Sequence, residues 1–186
     1  GSTWAVSTFN LATNGDWRGS QSAATVKVSV ANPDVVYAGS VASGTSANFR
    51  LNVSRDNGLT FTKTTGNLPI TGSYFISGLA ASSVNAGQAY TLLSAPNQAK
   101  ISKTSDYGAT WKDITGFSPI SNTGFPNVPV HSLIEMPFDE NVLWAGTDIG
   151  VFETTNGGAS WILVTALPPV SVWGMKIVDD QVVLAT

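Results

Sequence analysis

Asp106-Tyr107-Gly108-Ala109-Thr110-Trp111 is one of three closely matching stretches in this chain of 186 residues. Its counterparts stand 50 residues earlier, as Asp56-Asn57-Gly58-Leu59-Thr60-Phe61, and 50 residues later, as Asn156-Gly157-Gly158-Ala159-Ser160-Trp161. All three follow the pattern Asp/Asn-x-Gly-x-Thr/Ser-aromatic, which we call the repeat motif. Three matches in strict register indicate an internal repeat of about 50 residues.

The residue types of the repeat motif suit a tight turn between two strands. The Asp side chain can accept hydrogen bonds from backbone N–H groups of its own turn. The Gly tolerates the positive φ that a reversal needs, the Thr or Ser hydroxyl can tie the outgoing strand, and the aromatic ring covers the hairpin. The alternative interpretation is that the Asp residues of the motif are catalytic or bind calcium. Evenly spaced copies would lie on separate sheets and could not converge on one substrate, so we interpret the motif as structural.

Short strand-like segments separated by turn signals fill each repeat. The predicted strands are 25–30, 35–40, 49–54 and 60–65; 75–80, 89–93, 100–104 and 110–115; 130–136, 142–146, 150–154 and 160–165; and finally 172–178 and 181–186. No window has a helical period, so essentially no helix is expected. Four antiparallel strands in each repeat are typical of β-propeller blades. The predicted fold class is therefore all-β, a β-propeller segment of about 3.75 four-stranded blades.

The start of the chain also resembles the repeat. Gly1-Ser2-Thr3-Trp4 aligns with the end of the second motif, which indicates an outer strand of a preceding blade; the alternative is that Gly1-Ser2 is left over from an expression vector. We predict a single propeller segment, with that outer strand in 1–11, blades in 22–68, 72–117 and 128–168, and inner strands of a following blade in 171–186. Such a segment is expected to be part of a larger propeller.

Composition excludes several classes of function. Only nine residues are Lys or Arg and the net charge is −3, so nucleic-acid binding is not expected. No apolar run approaches the roughly 20 residues that cross a membrane. With no Cys and with His131 as the single histidine, thiolate and multi-histidine metal sites are excluded, and we expect no metal and no cofactor. Low charge with abundant Ser, Thr and Asn fits an exported bacterial protein, secreted or at the cell surface.

The repeat motif resembles the Asp-box, or bacterial neuraminidase (BNR) repeat. That repeat occurs in sialidases, sortilin-type receptors, xyloglucan-degrading propeller glycosidases and photosystem assembly factors. The stretch 143–152 is also similar to blades of large secreted bacterial propellers. Because the families that share the repeat do unrelated jobs, the resemblance implies a fold and leaves the activity open.

The resemblance implies that ligands bind on the propeller face opposite the repeat motifs. The loops expected there are 14–19, 43–47, 72–74, 116–129, 147–150 and 168–171. Their candidate ligand-binding residues are Asp16, Trp17, Arg18, Tyr74, His131 and Asp148. Trp17, flanked by two charges, can stack on a sugar ring; alternatively it is a buried anchor beside a local ion pair.

His131 and Asp148 also have two interpretations each. His131 can act as an acid or base, or it can simply be hydrogen-bonded at the start of a strand. Asp148 stands in a Thr-Asp-x-Gly turn, where the xyloglucan-degrading enzymes that the chain resembles place a catalytic Asp. Their fuller motif has a second Gly and a Tyr where this chain has Val151-Phe152, so a structural turn residue is the alternative.

The sequence favours a binding role over catalysis. Glycoside hydrolysis needs two carboxyl groups roughly 5–9.5 Å apart, and no second carboxyl is placed near Asp148, so no catalytic residue is assigned. A sialidase would need an arginine triad and an Arg-Ile-Pro motif, which Arg18, Arg50 and Arg55 do not supply.

We therefore expect a non-catalytic binding or scaffolding module, with a polysaccharide or a protein as its ligand. Its other expected partner is the rest of a larger propeller or a second copy of the chain. The alternatives are a fragment of a propeller glycoside hydrolase acting on polysaccharide, and a sortilin-like protein-binding propeller.

Overall fold

The computed structural model describes residues 25–43, 50–64, 68–117 and 120–186. These residues form fourteen strands and no helix, which confirms the all-β prediction. The predicted strand in 1–11 and the loop with Asp16, Trp17 and Arg18 lie outside the described residues.

The strands fall into three groups of four and a final hairpin, and all paired strands run antiparallel. The first group is β1 (Thr25–Val28), β2 (Val36–Ser43), β3 (Arg50–Ser54) and β4 (Thr62–Lys63). The second group is β5 (Ser73–Ala81), β6 (Ala89–Leu93), β7 (Ile101–Thr104) and β8 (Lys112–Asp113). The third group is β9 (Val130–Met136), β10 (Asp139–Thr147), β11 (Gly150–Thr154) and β12 (Ile162–Leu163), and the hairpin is β13 (Gly174–Val178) with β14 (Gln181–Ala185).

The fourth strand of each group is shorter than predicted, at two residues. The predicted strands began at Thr60, Thr110 and Ser160. The backbone N–H of each of these residues instead donates to the Asp or Asn side chain of its own motif, at 2.8–2.9 Å. That N–H is already engaged, and each fourth strand begins two residues later.

The first two groups are joined into one eight-stranded sheet, which the sequence did not predict. The register of β2 shifts between Gly39 and Val41, and after this irregularity Val41–Ser43 pair with Phe75–Ser73 of β5. A bulge bends a strand and increases its twist, so the end of β2 reaches β5 of the neighbouring group while Val41 still pairs with Arg50 of β3.

The core lies between the groups. One buried cluster joins the first and second groups and includes Tyr37, Leu51, Leu79 and Leu93. A second cluster joins the second and third groups and includes Leu92, Ile101, Leu143 and Trp161. Each group therefore buries its faces against its neighbours in the chain, as expected for stacked blades.

A buried carboxylate adds a polar link between the second and third groups. Glu135 of β9 is 7% exposed. Its Oε1 accepts a hydrogen bond from the Ser82 hydroxyl at 2.5 Å, and its Oε2 accepts from Gln88 Nε2 and the Tyr90 hydroxyl at 2.6 Å each. Burial, followed by the charge of Glu135, raises the pKa of Tyr90 above its ordinary value. The three donors keep this side chain from being an unsatisfied buried acceptor.

The repeat motifs form three equivalent turns between the third and fourth strands of their groups. The glycines at 58, 108 and 158 have φ of 80°, 83° and 96°, as predicted from their position. The preceding residues, Asn57, Tyr107 and Gly157, also have positive φ, between 59° and 67°. Their N–H groups donate at 2.8–3.0 Å to carbonyls near the turn between the first and second strands, at Asp34, Gly87 and Asn141. The motif and the first turn of each group therefore lie on one common face, which we call the motif face.

The hydroxyl of the motif has a different partner from the one predicted. Thr60 Oγ1 and Thr110 Oγ1 donate to the carboxylates of Asp56 and Asp106, at 2.5 and 2.6 Å, instead of to the outgoing strand. In the third motif the direction is reversed, since Asn156 Nδ2 donates to Ser160 Oγ at 2.9 Å. The motif is thus closed by its own first and fifth residues, whether the first is Asp or Asn.

Candidate functional site

Three of the six predicted site residues lie in the described part of the chain, and two of them meet. Tyr74, in β5, is half-buried against the first core cluster and contacts neither of the other two by a hydrogen bond or ring contact in the described residues. His131 and Asp148 are joined by a hydrogen bond of 2.7 Å between Nε2 and Oδ1. The sequence suggested each residue separately but gave no reason to pair them.

Strand ends bring His131 and Asp148 together. His131 is the second residue of β9, and Asp148 directly follows β10, which pairs with β9. The turn that carries Asp148 is fixed by Thr147, whose hydroxyl donates to the carbonyl of Gly150 at 2.7 Å. Gly150 has φ of 123°, which favours glycine there. Asp148 is therefore held at the end of the sheet opposite the motif face.

Trp173 completes the cluster, and the sequence did not point to it. Its ring stacks on the imidazole of His131, with centroids 4.1 Å apart and planes inclined by 30°. The side chain is nevertheless 61% exposed, a large value for a tryptophan. The one sequence feature that could have indicated Trp173 as a site residue is its position in 171–186, two residues after the 168–171 loop expected on the ligand face.

The segment before β13 is anchored on both sides, which fixes the position of Trp173. Val172 N–H donates to the Thr147 carbonyl at 2.9 Å, and Trp173 N–H donates to the Ala185 carbonyl at 2.8 Å. Val172 itself is 1% exposed. A buried residue before Trp173 and a strand bond at Trp173 together hold the exposed ring in one place.

We call His131, Asp148 and Trp173 the stacking cluster. His131 is 12% exposed and Asp148 43% exposed at their side chains, so the carboxylate faces solvent while the imidazole lies beneath it. Ser171 Oγ lies 3.4 Å from the same carboxylate oxygen. The arrangement offers a flat aromatic surface beside a hydrogen-bond acceptor. Within the described ranges, no group of three His, Cys, Asp or Glu residues could hold a metal ion.

Comparisons with known proteins identify the fold. No protein-family model matches the chain, and no curated protein matches it in sequence. Among solved structures, the chain is similar to the GH74 xyloglucanase from Xanthomonas campestris, with a TM-score of 0.59, 17% identity and 81% of this chain covered. It is also similar to the GH74 enzyme of Niastella koreensis, with a TM-score of 0.50, 19% identity and 74% of this chain covered. An ancestral GH74 enzyme gives a TM-score of 0.51 at 19% identity over 75% of this chain.

The chain spans a quarter or less of the length of these proteins, at 24%, 21% and 18%. At such low identity the likeness concerns the fold alone. In the described residues no helix is long and apolar enough to cross a membrane. The antiparallel four-strand groups, stacked face to face, are blades, and the fold of this chain is that of a β-propeller.

Proposed function

We propose that this chain is a non-catalytic carbohydrate-binding module of a propeller protein, and that the stacking cluster contacts the sugar. The observation that supports this most directly is Trp173, whose ring is held against His131 on one side and is 61% exposed. A rigid exposed aromatic ring is a platform for the apolar face of a pyranose.

Asp148 supplies the polar half of such a contact. Ligand sites combine apolar and aromatic surface with a few fixed polar groups that set orientation. Asp148 Oδ1 is occupied by His131, at 2.7 Å, while the side chain remains 43% exposed. The remaining acceptor capacity of the carboxylate can take hydrogen bonds from sugar hydroxyl groups. A negative charge at this position disfavours acidic sugars and favours neutral polysaccharides.

A glycoside hydrolase is the second candidate, because the proteins similar in fold include a xyloglucanase and Asp148 is an exposed carboxylate. Hydrolysis normally requires two carboxyl groups. The polar partners of Asp148 among the described residues are His131 and Ser171, neither of which is a carboxyl group. The hydrogen bonds of Asp148 therefore identify no pair of carboxyl groups, and binding is the better-supported proposal.

The proposal is tested by calorimetric titration of the chain with xyloglucan, with a neutral β-glucan and with acidic polygalacturonate. We expect binding to one or both neutral polymers and none to the acidic polymer. Trp173→Leu is expected to weaken binding about tenfold, since it removes the aromatic face. Phe138→Leu is the matched control, because Phe138 is 78% exposed in the turn between β9 and β10 on the motif face.

Three results would contradict the proposal. Equal loss of affinity in the Trp173 and Phe138 variants would mean that the ring of Trp173 has no special part in binding. Release of reducing sugar from xyloglucan, abolished by Asp148→Asn, would favour the hydrolase instead. Binding of neither neutral polymer by the folded chain would leave a protein ligand as the alternative.

We further propose that the segment acts as part of a larger propeller in a secreted or cell-surface bacterial protein. The propeller fold and the chain's span of 24% of the Xanthomonas enzyme support the first point. The composition, with 11% charged residues and no Cys, supports the second. Fractionation of the source cells with an antibody against this segment tests the location.

A further inference from the structure

A cleft lies between the first and second strand groups, with a volume of about 480 Å³. It is lined by Leu68, Pro69, Ile70, Thr71, Asn97, Gln98, Ala99 and Phe117. Leu68 and Ile70 are buried, while Thr71 and Asn97 are exposed. The cleft therefore has an apolar interior and a polar rim, and none of the described residues that line it is charged.

This cleft and the stacking cluster open on the same face of the molecule. Asn97 and Gln98 belong to the connection between β6 and β7, which corresponds to the Asp148 turn between β10 and β11 in the next group. Thr71 belongs to the connection between β4 and β5, which corresponds to the connection before Trp173. In antiparallel groups these two kinds of connection lie at the same end of the strands, opposite the motif face.

The rim of the cleft is a network of amide and hydroxyl groups. Gln98 Oε1 accepts from the backbone N–H of Thr71 at 2.8 Å, and Gln98 Nε2 donates to Thr71 Oγ1 at 3.0 Å. Asn127 Nδ2 donates to Asn97 Oδ1 at 2.6 Å, and Asn127 Oδ1 accepts from the backbone N–H of Asn97 at 2.9 Å. Each primary amide nitrogen carries two hydrogens. Among the described residues Asn97 Nδ2 makes no hydrogen bond, so both of its hydrogens remain available.

Asn127 connects this rim to the stacking cluster. It lies four residues before His131 in the sequence. Four residues span at most about 14 Å, even when fully extended. The rim and the stacking cluster are thus within reach of one oligosaccharide of a few units.

We propose that the cleft is a second subsite, which binds a neutral sugar of the same polysaccharide chain that occupies the stacking cluster. This inference rests on the proposed function and extends it from one contact to an extended, chain-length-dependent site. Amide donors and acceptors match sugar hydroxyl groups, and the apolar interior with Phe117 matches the ring face. The described lining consists of uncharged side chains, which favours an uncharged sugar.

The experiment compares short and long cello-oligosaccharides, namely cellotriose and cellohexaose, in calorimetric titrations. A wild-type chain with two subsites is expected to bind the longer ligand about tenfold or more tightly, because the added sugars reach further hydrogen-bond partners. Asn97→Gly is the test variant. It removes the amide but tolerates the φ of 55° found at this position.

The Asn97→Gly variant is expected to bind cellohexaose no more tightly than cellotriose, with an unchanged affinity for cellotriose. Gln98→Ala is a second variant, in case one substitution disturbs the loop, and thermal unfolding shows whether each variant is folded. Asn141→Ala is the matched control, since it removes an exposed amide on the motif face.

The outcomes separate the two proposals. If the wild type binds both oligosaccharides equally, or if both rim variants keep the gain with length, the second subsite is wrong while sugar binding at Trp173 stands. If the wild type binds neither neutral polysaccharides nor oligosaccharides, the proposed function fails, and this inference fails with it.

Discussion

At the scale of single residues, the repeat motif depends on one side chain with several partners. Asp106 Oδ1 accepts from the N–H of Thr110 at 2.8 Å and from the Thr104 hydroxyl at 2.8 Å, while its Oδ2 accepts from Thr110 Oγ1 at 2.6 Å. The preceding Ser or Thr is as regular as the Asp. Ser54, Thr104 and Thr154 each accept from the N–H of the motif glycine, at 2.8–2.9 Å. Their own spacing of 50 residues was a sequence signal that the six-residue pattern omitted.

We expect Asp106→Ala to lower the free energy of unfolding by roughly 1–3 kcal/mol, because it leaves several donors of the turn without an acceptor. Urea denaturation measures this loss. Carbohydrate affinity of the folded fraction should not change, since the motif lies on the face opposite the stacking cluster. Weaker binding at an unchanged melting temperature would mean that Asp106 belongs to a ligand site.

The carboxylates of the motif should make the free energy of unfolding depend on pH in the acidic range. Hydrogen bonds from Thr60, first from its side chain and then from its backbone, lower the pKa of Asp56 from 3.8 to about 2. Bonds from Thr110 lower the pKa of Asp106 in the same way. A carboxyl whose pKa is lower in the folded state stabilises the fold above its unfolded pKa. For Asp56 that contribution is lost as the pH falls from about 4 to about 2.

The double variant Asp56→Asn/Asp106→Asn is therefore expected to be folded and to lose less stability than the wild type between pH 4 and pH 2. Asn156 already provides the neutral form of the motif, with its Oδ1 accepting from Ser160 N–H at 2.9 Å. Thermal unfolding at several pH values measures the slope. Parallel curves for variant and wild type would rule out these two carboxylates as a source of acid sensitivity.

At the scale of strands and turns, the sequence was most informative where the repeat was regular. Middle strands such as β6 and β11, the second and third of their groups, have the predicted bounds because their buried residues are bounded by turn residues. The fourth strands were predicted too long, because hydrophobic patterning does not reveal that a side chain has taken the N–H of Thr60, Thr110 or Ser160. Of the three residues of the stacking cluster, the sequence indicated His131 and Asp148 but not Trp173. His131 and Trp173 lie 42 residues apart, outside the 50-residue period, so only the folded chain brings their rings together.

The motif glycines provide a matched test of packing between groups. A Cβ added at Gly158 would lie 2.6 Å from Ile114 of the preceding group, whereas one added at Gly58 would have no described residue within 4 Å. Both positions have positive φ, so alanine costs about 1–2 kcal/mol at either one. We expect Gly158→Ala to lose a further 1–3 kcal/mol, approximately, from overpacking. Equal losses in urea denaturation would show that the groups are not in close contact at this turn.

At the scale of the whole molecule, the first strand and the final hairpin expose apolar side chains. Val26 and Val28 of β1 are 56% and 53% exposed, and Val183 of β14 is 52% exposed. Exposed apolar patches and open strand edges promote association. We therefore expect the 186-residue chain on its own to self-associate as its concentration rises.

Light scattering over a concentration series measures this association, and Val26→Lys/Val183→Lys is expected to reduce it. Leu59→Lys serves as the control, since Leu59 is equally exposed, at 53%, but lies in a motif turn. A monomer at every concentration would mean that these strands are covered by residues outside the described part of the chain.

The contact made by the motif glycines also bears on how such a molecule can change its size during evolution. Gly108 packs on Thr64 and Gly158 packs on Ile114, so both members of the contact recur after 50 residues. A duplicated repeat would carry both residues that this contact needs. Its glycine would pack on the repeat before it, and its residue at the position of Thr64 or Ile114 would receive the glycine of the repeat after it. After gene duplication or deletion of a whole repeat, each remaining motif glycine would then still have a matching residue in the preceding repeat to pack on. A lineage could gain or lose blades in single steps, without first evolving a new interface.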